Sequence, residues 1–205
     1  MAYYTEKVVP RVINVACGMK VARPARERTC AGLKGRVVEI GFGSGLNVPY
    51  YPDEVTEIAA IEPADVAWKL ARKRVDASPT TITRAGLDGQ KLPFGDGEFD
   101  AALSTWTMCT IPDVTAALHE VRRVLRPGGT LHFVEHGLSP DAKVAARSAR
   151  MEPMQKRLFG GCHITRNIPG LLAGAGFRVN ELETFYEKGA PKFIGWTFLG
   201  TASAA

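Results

Sequence analysis

Long hydrophobic runs are missing from this chain of 205 residues. No segment approaches the roughly 20 apolar residues that a membrane-crossing helix needs, so no integral membrane segment is expected. The one apolar patch near the start, Val8 to Ala16, is broken by Pro10, Arg11 and Asn14, which argues against a secretory leader. Cysteine is scarce and scattered: Cys17, Cys30, Cys109 and Cys162 form no C-x-x-C pair. That weighs against a disulfide framework or a zinc ribbon and points to a reducing, cytoplasmic setting. The spacing of His136, Cys162 and His163 matches no zinc pattern, so no metal is expected. Internal repeats and linkers are absent as well. Only the small-residue tail Thr201-Ala202-Ser203-Ala204-Ala205 is expected to fray. Charge of one sign does not dominate a face. The net charge is +5, but the basic clusters (Lys20 to Arg28, Arg72 to Arg74, Arg122 to Arg126, Lys143 to Arg150) fall on different predicted helices with acids nearby. That pattern is one of solvated helix faces, and a nucleic-acid partner is not expected.

What remains is an ordinary globular composition, 45% apolar and 23% charged, long enough for one substantial core. Helical spacing at Val8, Val12, Val15 and Met19 predicts a helix within Tyr3 to Lys20, and Pro24 opens a second over Ala22 to Ala31. Residues 1–33 read as a helical flap, with Tyr3 and Tyr4 offering aromatic surface over a pocket, and residues 34–205 as the core of the same single domain. Strands are predicted at Arg36–Ile40, Glu57–Ile61, Thr80–Ala85, Phe99–Ser104 and Thr130–Val134. Helices are predicted over Ala64–Ala77 and Pro112–Leu125. Asp141 to Leu158 reads as a helix interrupted at Pro153, and Ile168 to Ala175 as a short one. Phe177–Phe185 and Lys192–Thr201 then read as strands paired antiparallel. The sum is an α/β fold with a mostly parallel, seven-stranded sheet, helices on both faces and a C-terminal antiparallel pair.

The stretch Glu39-Ile40-Gly41-Phe42-Gly43-Ser44-Gly45 ends the first strand in an acid and a glycine-rich bend, the place where α/β sheets seat nucleotides. A dinucleotide fingerprint needs its third glycine where Leu46 stands, followed by a regular helix. Pro49 and Pro52 leave no room for that helix, so the anion site for a pyrophosphate is lost and NAD or FAD is disfavoured. Glu62, about 20 residues further on, suits the hydroxyls of a ribose. An adenosine bearing something other than phosphate is the ligand this pattern selects.

These residues resemble the first motif, E-x-G-x-G-x-G, of class I S-adenosylmethionine-dependent methyltransferases, with a Rossmann-like fold. Asp88 and Gly89, in Leu87-Asp88-Gly89-Gln90-Lys91-Leu92-Pro93-Phe94, are similar to the G-D-A-x-x-L-P-F segment of the ubiquinone/menaquinone methyltransferase type, although Leu87 replaces its glycine. The resemblance implies that Asp88 bonds the adenine amine and Gly89 N–H a ring nitrogen. It also implies S-adenosyl-L-methionine as cofactor, held by Glu39, Gly41, Phe42, Gly43, Ser44, Gly45, Asn47, Glu62, Pro63, Asp88, Gly89, Thr105 and Trp106. Phe99 to Thr105 and Glu120 to Gly129 resemble the later motifs. Gly41 to Asn47, Tyr50-Tyr51-Pro52, Cys109-Thr110-Ile111, Phe133 to His136 and Gly161 to Arg166 are similar to the methyltransferase-like thiol S-methyltransferases. Those proteins usually carry an N-terminal hydrophobic anchor that is not seen here, so the resemblance implies a soluble relative.

A methyl group on a sulfonium needs only an aligned nucleophile and a dry site, and a thiol near its reference pKa of about 8.5 is already partly ionised at neutral pH. The expected acceptor is a small, hydrophobic molecule, a thiol first. A quinone-, phenol- or lipid-like carbon or oxygen nucleophile is the alternative, and a cofactor-binding protein without turnover a more distant one. His136, just after the fifth strand, is the candidate base. Tyr3, Tyr4, Cys109, Cys162, His163 and Arg166 are the candidate wall of the acceptor pocket.

Overall fold

The computed structural model describes residues 7–204, so the expected contribution of Tyr3 and Tyr4 lies outside the described residues. Two short helices, α1 (Val9–Cys17) and α2 (Arg23–Cys30), precede the sheet. Each has a proline in its first turn, where the missing N–H costs no intrahelical bond. The core then runs β1 (Gly35–Ile40), β2 (Val55–Ile61), α3 (Asp65–Asp76), β3 (Thr81–Gly86), β4 (Phe99–Thr105), α4 (Val114–Val124) and β5 (Leu125–His136). It closes with α5 (Ala142–Leu158), α6 (Ile168–Gly174), β6 (Phe177–Tyr186) and β7 (Trp196–Ala204).

The seven strands lie in the order β3-β2-β1-β4-β5-β7-β6. β7 alone runs against its neighbours, antiparallel to both β5 and β6. The order reverses between β1 and β4, which pair in parallel through Val37↔Ala101 to Ile40↔Ser104. A crevice opens at that reversal, beyond the carboxyl ends of the strands. The central residues of β1 and β4 are mainly apolar because helices cover both faces. Val38, Ala102 and Phe133 join α4 and α6 on one side, while Val37, Ile58 and Leu103 pack with Cys30 and Ala71 on the other.

Several boundaries depart from the sequence reading: Ala202 and Ser203, expected to fray, extend β7 by pairing with Leu131 and Thr130 of β5, and three others differ for identifiable reasons. α5 continues through Pro153, which deletes one backbone donor without ending the helix. β5 begins at Leu125, paired with Phe99, and a register break takes up the Arg126–Gly129 turn before Ala101↔Thr130 resumes the ladder. β7 starts only at Trp196, because Ile194 and Gly195 donate back to Pro191 O and close a turn over the residues before it. The segment after Gly45 forms only a single 3-10 turn, Val48–Tyr50, as its prolines dictate.

Candidate active site

Three acids end three buried strands, and each braces a turn at the crevice. Glu39, at the end of β1, is fully buried; its Oε1 accepts from Asn47 Nδ2 at 2.8 Å and its Oε2 from the Tyr51 hydroxyl. Glu62, after β2, accepts the N–H of Gly43 and that of Ala64, each at 2.7 Å. Glu135, in β5, accepts from Ser104 Oγ at 2.8 Å, from the N–H groups of Thr107 and Met108 at 3.0 Å and from that of Cys109 at 3.3 Å. Gly41 must be glycine: its φ is +70°, and an added Cβ would lie 2.3 Å from Thr107.

Burial pushes the Glu39 carboxyl up to about 7, against the opposing pull of Tyr51 and Asn47. A folded-state pKa above the unfolded one means that the native protein holds a proton the unfolded chain has released. The associated stability is therefore full below the ordinary carboxylate range and is lost as pH rises through about 7. Melting temperatures measured from pH 5 to pH 8 are expected to fall less for Glu39→Gln than for the wild type. Parallel profiles would show that Glu39 does not titrate in this range.

A cavity of about 510 Å³ lies over the carboxyl ends of β1, β2 and β4. Gly41, Phe42, Ser44, Glu62, Pro63, Asp88, Gly89, Thr105 and Trp106 line it. Glu39, Gly43, Gly45 and Asn47 are not among its lining and stand behind it as bracing. Asp88 is exposed at the rim, its Oδ1 accepting from the Gln90 backbone and side chain, and these bonds hold its carboxyl below the usual range.

The structure adds Arg26, which the sequence reading placed among solvated basic clusters. It is only 5% exposed and lines the cavity. Its Nη1 donates to Asn47 Oδ1 at 2.7 Å and to Thr105 Oγ1 at 3.3 Å, and its guanidinium lies 4.7 Å from the Trp106 ring centroid. Nothing in the helical spacing of α2 marked it. Trp106 has φ 50°, a left-handed conformation that costs a non-glycine residue about 1–3 kcal/mol. It is held there by its N–H bond to Val134 O at 2.7 Å and by Arg26 above it.

A second cavity, of about 430 Å³, adjoins the first; Ile13, Cys17, Trp106 and Thr110 line both. Its wall is mainly apolar, with Met19, Val21, Phe159 and Ile194, and it brings together Cys109, His136 and Cys162. Their sequence spacing gave no reason to group these three. His136 Nε2 lies 3.3 Å from Glu187 Oε2. Burial opposes protonation of this imidazole, but Cys162 and Glu187 outweigh it and push it up to about 9. The Cys109 and Cys162 sulfurs are 3.4 Å apart; that contact, aided by His136, draws the Cys162 thiol down while the Cys109 thiol is driven up.

His163 and Arg166 line neither cavity. His163 N–H donates to Cys109 O at 2.7 Å, and Arg166 donates to the carbonyls of Met108 and Ile111, so both fix the loop that carries Cys109. Loop fixation satisfies the cationic fork of Arg166 without a ligand. Glu135 was legible by analogy, since it ends an apolar strand as Glu39 and Glu62 do. Tyr51 and Glu187 carried no comparable signal.

Among the described residues, two buried donors at the first cavity end without a protein partner, Arg26 Nε and Trp106 Nε1. A ligand carrying a carboxylate suits the first of them, and the Glu62 and Asp88 carboxylates suit its hydroxyls and amine. S-adenosyl-L-methionine has these groups, and the residues present fit it.

Comparison with known proteins agrees. Residues 38–133 match the model of the methyltransferase domain. Thiol S-methyltransferase TMT1B of Homo sapiens is 31% identical over 160 residues, covering 74% of this chain and 64% of that protein. The phosphatidylethanolamine N-methyltransferase of Cereibacter sphaeroides is 31% identical over 142 residues, covering 65% of this chain and 69% of the relative. A solved SAM-dependent methyltransferase of Thermotoga maritima, described as a possible histamine N-methyltransferase, superposes over 100% of both chains with a TM-score of 0.70 at 21% identity. A putative methyltransferase solved with the Haloferax volcanii Trm112 activator gives 0.72 at 16% identity, over 98% of this chain and 96% of that one. At such identities these two speak to the fold. The chain spans just under two thirds of the thiol S-methyltransferases it matches.

Proposed function

We propose a function from one premise: the chain belongs to the S-adenosylmethionine-dependent methyltransferases. It methylates a small apolar thiol, holding S-adenosyl-L-methionine in the larger cavity and the thiol in the smaller one. The observation that carries this reading is the meeting of the two cavities at Trp106. The similarity to thiol S-methyltransferases supports sulfur as the nucleophile.

When bound, the cofactor supplies a methyl group that its sulfonium makes electrophilic. The chain's own part is to position, to dry and to orient. Glu62 and Asp88 take the polar groups of the nucleoside, and Arg26 takes the carboxylate of the amino-acid tail. Trp106 and Thr110 stand where the cavities join, and Thr105 lines the cofactor's side. The apolar walls of the second cavity exclude water from a reaction that removes charge, which favours the transition state. His136, paired with Glu187, is one of the polar groups of that wall and orients the acceptor's sulfur. A thiol needs little further activation, since part of it is thiolate at neutral pH.

Incubation of the full chain with methyl-labelled cofactor and matched thiols, phenols and quinones tests the reading. Label is expected in the small apolar thiols. Label only in phenols or quinones would replace sulfur by oxygen or carbon as the nucleophile. Cofactor binding by calorimetry with no acceptor labelled would leave a binding protein.

A further inference from the structure

Cys109, His136 and Cys162 come from three separate parts of the chain: the turn after β4, the end of β5 and the loop after α5. One sulfur from each cysteine and one ring nitrogen of the histidine lie within 4.8 Å of one another. In a tetrahedral zinc site with Zn–S near 2.3 Å, neighbouring donors stand about 3.8 Å apart. The two sulfurs here are 3.4 Å apart, so an ion enters with side-chain movements on the order of 1 Å. We propose that Cys109, Cys162 and His136 bind one thiophilic divalent cation, zinc by the chemistry of the donors, with its fourth position open to the smaller cavity.

Three further features of the cluster suit such an ion. The first is rigidity: Cys109 is tied through its N–H to Glu135 and through its carbonyl to the N–H of His163, the residue after Cys162. The two cysteine loops are thus hydrogen-bonded to each other before any ion arrives, which lowers the ordering cost of ligation. The second is Glu187, 3.3 Å from His136 Nε2. A carboxylate on one nitrogen of a ligating imidazole sets the ring's orientation and raises its basicity as a ligand. The third is access. Both cysteines are buried among Ile164, Phe159, Phe193 and Ile194, yet all three residues line the cavity. Structural zinc sites close all four positions with protein, whereas three protein donors and an open position belong to sites that bind a substrate.

The occupant of the open position follows from the proposed thiol acceptor, and this step rests on that reading. On coordination the acceptor's S–H bond breaks, a metal–sulfur bond forms, and the proton leaves to solvent. The coordinated sulfur then forms the new S–C bond to the methyl group as the methyl–sulfonium bond breaks. The electron pair of that broken bond stays on the cofactor's sulfur. The product is a neutral thioether, a poorer ligand than a thiolate, and it vacates the position.

The test uses the full chain, reduced with a phosphine, stripped with a chelator and titrated with Co²⁺. One equivalent is expected to bind, with sulfur-to-cobalt charge-transfer absorption and the visible bands of tetrahedral cobalt, and Zn²⁺ is expected to abolish both. Cys109→Ser and Cys162→Ser are each expected to lose the charge-transfer bands. Cys30→Ala, at a buried thiol in a different cluster, is expected to keep them. Adding 2-mercaptoethanol is expected to shift the visible bands, and ethanol to leave them unchanged. No charge transfer in the reduced wild-type chain would overturn the proposal, whatever the variants do. So would bands that survive in both serine variants, or loss of both thiols to a disulfide with no cobalt taken up. Cobalt binding without methylation of any thiol would leave the metal site standing and remove the thiol reading. Thiol methylation by a chain that takes up no cobalt would remove the metal site alone.

Discussion

Glu62→Ala is expected to weaken cofactor binding by roughly ten- to a hundredfold. A hydrogen bond to a charged group contributes about 1.5–3 kcal/mol, and alanine offers the ribose no acceptor. The variant also frees the N–H groups of Gly43 and Ala64, which Glu62 now accepts at 2.7 Å each. The turn that shapes the cavity is therefore loosened at the same time. Glu62→Gln separates the two effects, since it keeps the side chain's size but turns half of its head into a donor facing an N–H. Titration with S-adenosylhomocysteine in a calorimeter reads the affinity, and a thermal melt confirms that each variant is folded. Asp88→Ala is expected to lose less, because Asp88 sits exposed at the rim and is screened by water. Wild-type affinity in both variants would place the cofactor somewhere other than this cavity.

Glu135→Gln is expected to lower the melting temperature by roughly 10 °C. The Glu135 carboxylate, fully buried, accepts three consecutive backbone N–H groups and the Ser104 hydroxyl. An amide presents two donors on one side, so at least one of those buried N–H groups is left facing another donor. Each buried donor without a partner costs about 1–3 kcal/mol. One such donor at about 3 kcal/mol corresponds to roughly 6–12 °C in a chain of this size. Differential scanning calorimetry checks it. A shift below 2 °C would mean that the Thr107–Cys109 turn is held by Arg166 and His163 rather than by Glu135. Because the same turn carries Cys109, the variant is also expected to lose acceptor turnover before it loses cofactor affinity.

The alternation of strands and helices was legible because buried parallel strands must be apolar on both faces. Val37-Val38 with Ile40, and Ala101 to Leu103, meet that demand as short apolar runs. Helix starts were legible where Pro24 and Pro112 mark them, whereas the cap of α4, Asp113 accepting from Ala116 N–H, was supplied by the structure. The boundaries that slipped, at Pro153, Leu125 and Trp196, depend on pairing with distant segments. A local pattern cannot report such pairing.

Residues 39 to 62 by themselves determined the kind of nucleotide. Glycine spacing, two prolines and a strand-ending acid are local features whose chemical meaning does not depend on the rest of the fold. The acceptor side had no such local code. Arg26 looked like one more solvated cation until α2 laid it across Trp106, and burial then made its partners count. His163 and Arg166 look like binding residues in the sequence, yet the loop takes the Arg166 guanidinium, and the His163 imidazole lies 3.6 Å from Glu152 and lines neither cavity. Cys109, His136 and Cys162 are separated by more than 20 residues at each step. Only the closure of the β4, β5 and α5 ends around one cavity sets their donor atoms together, because proximity across a sheet edge follows from strand order and not from distance along the chain.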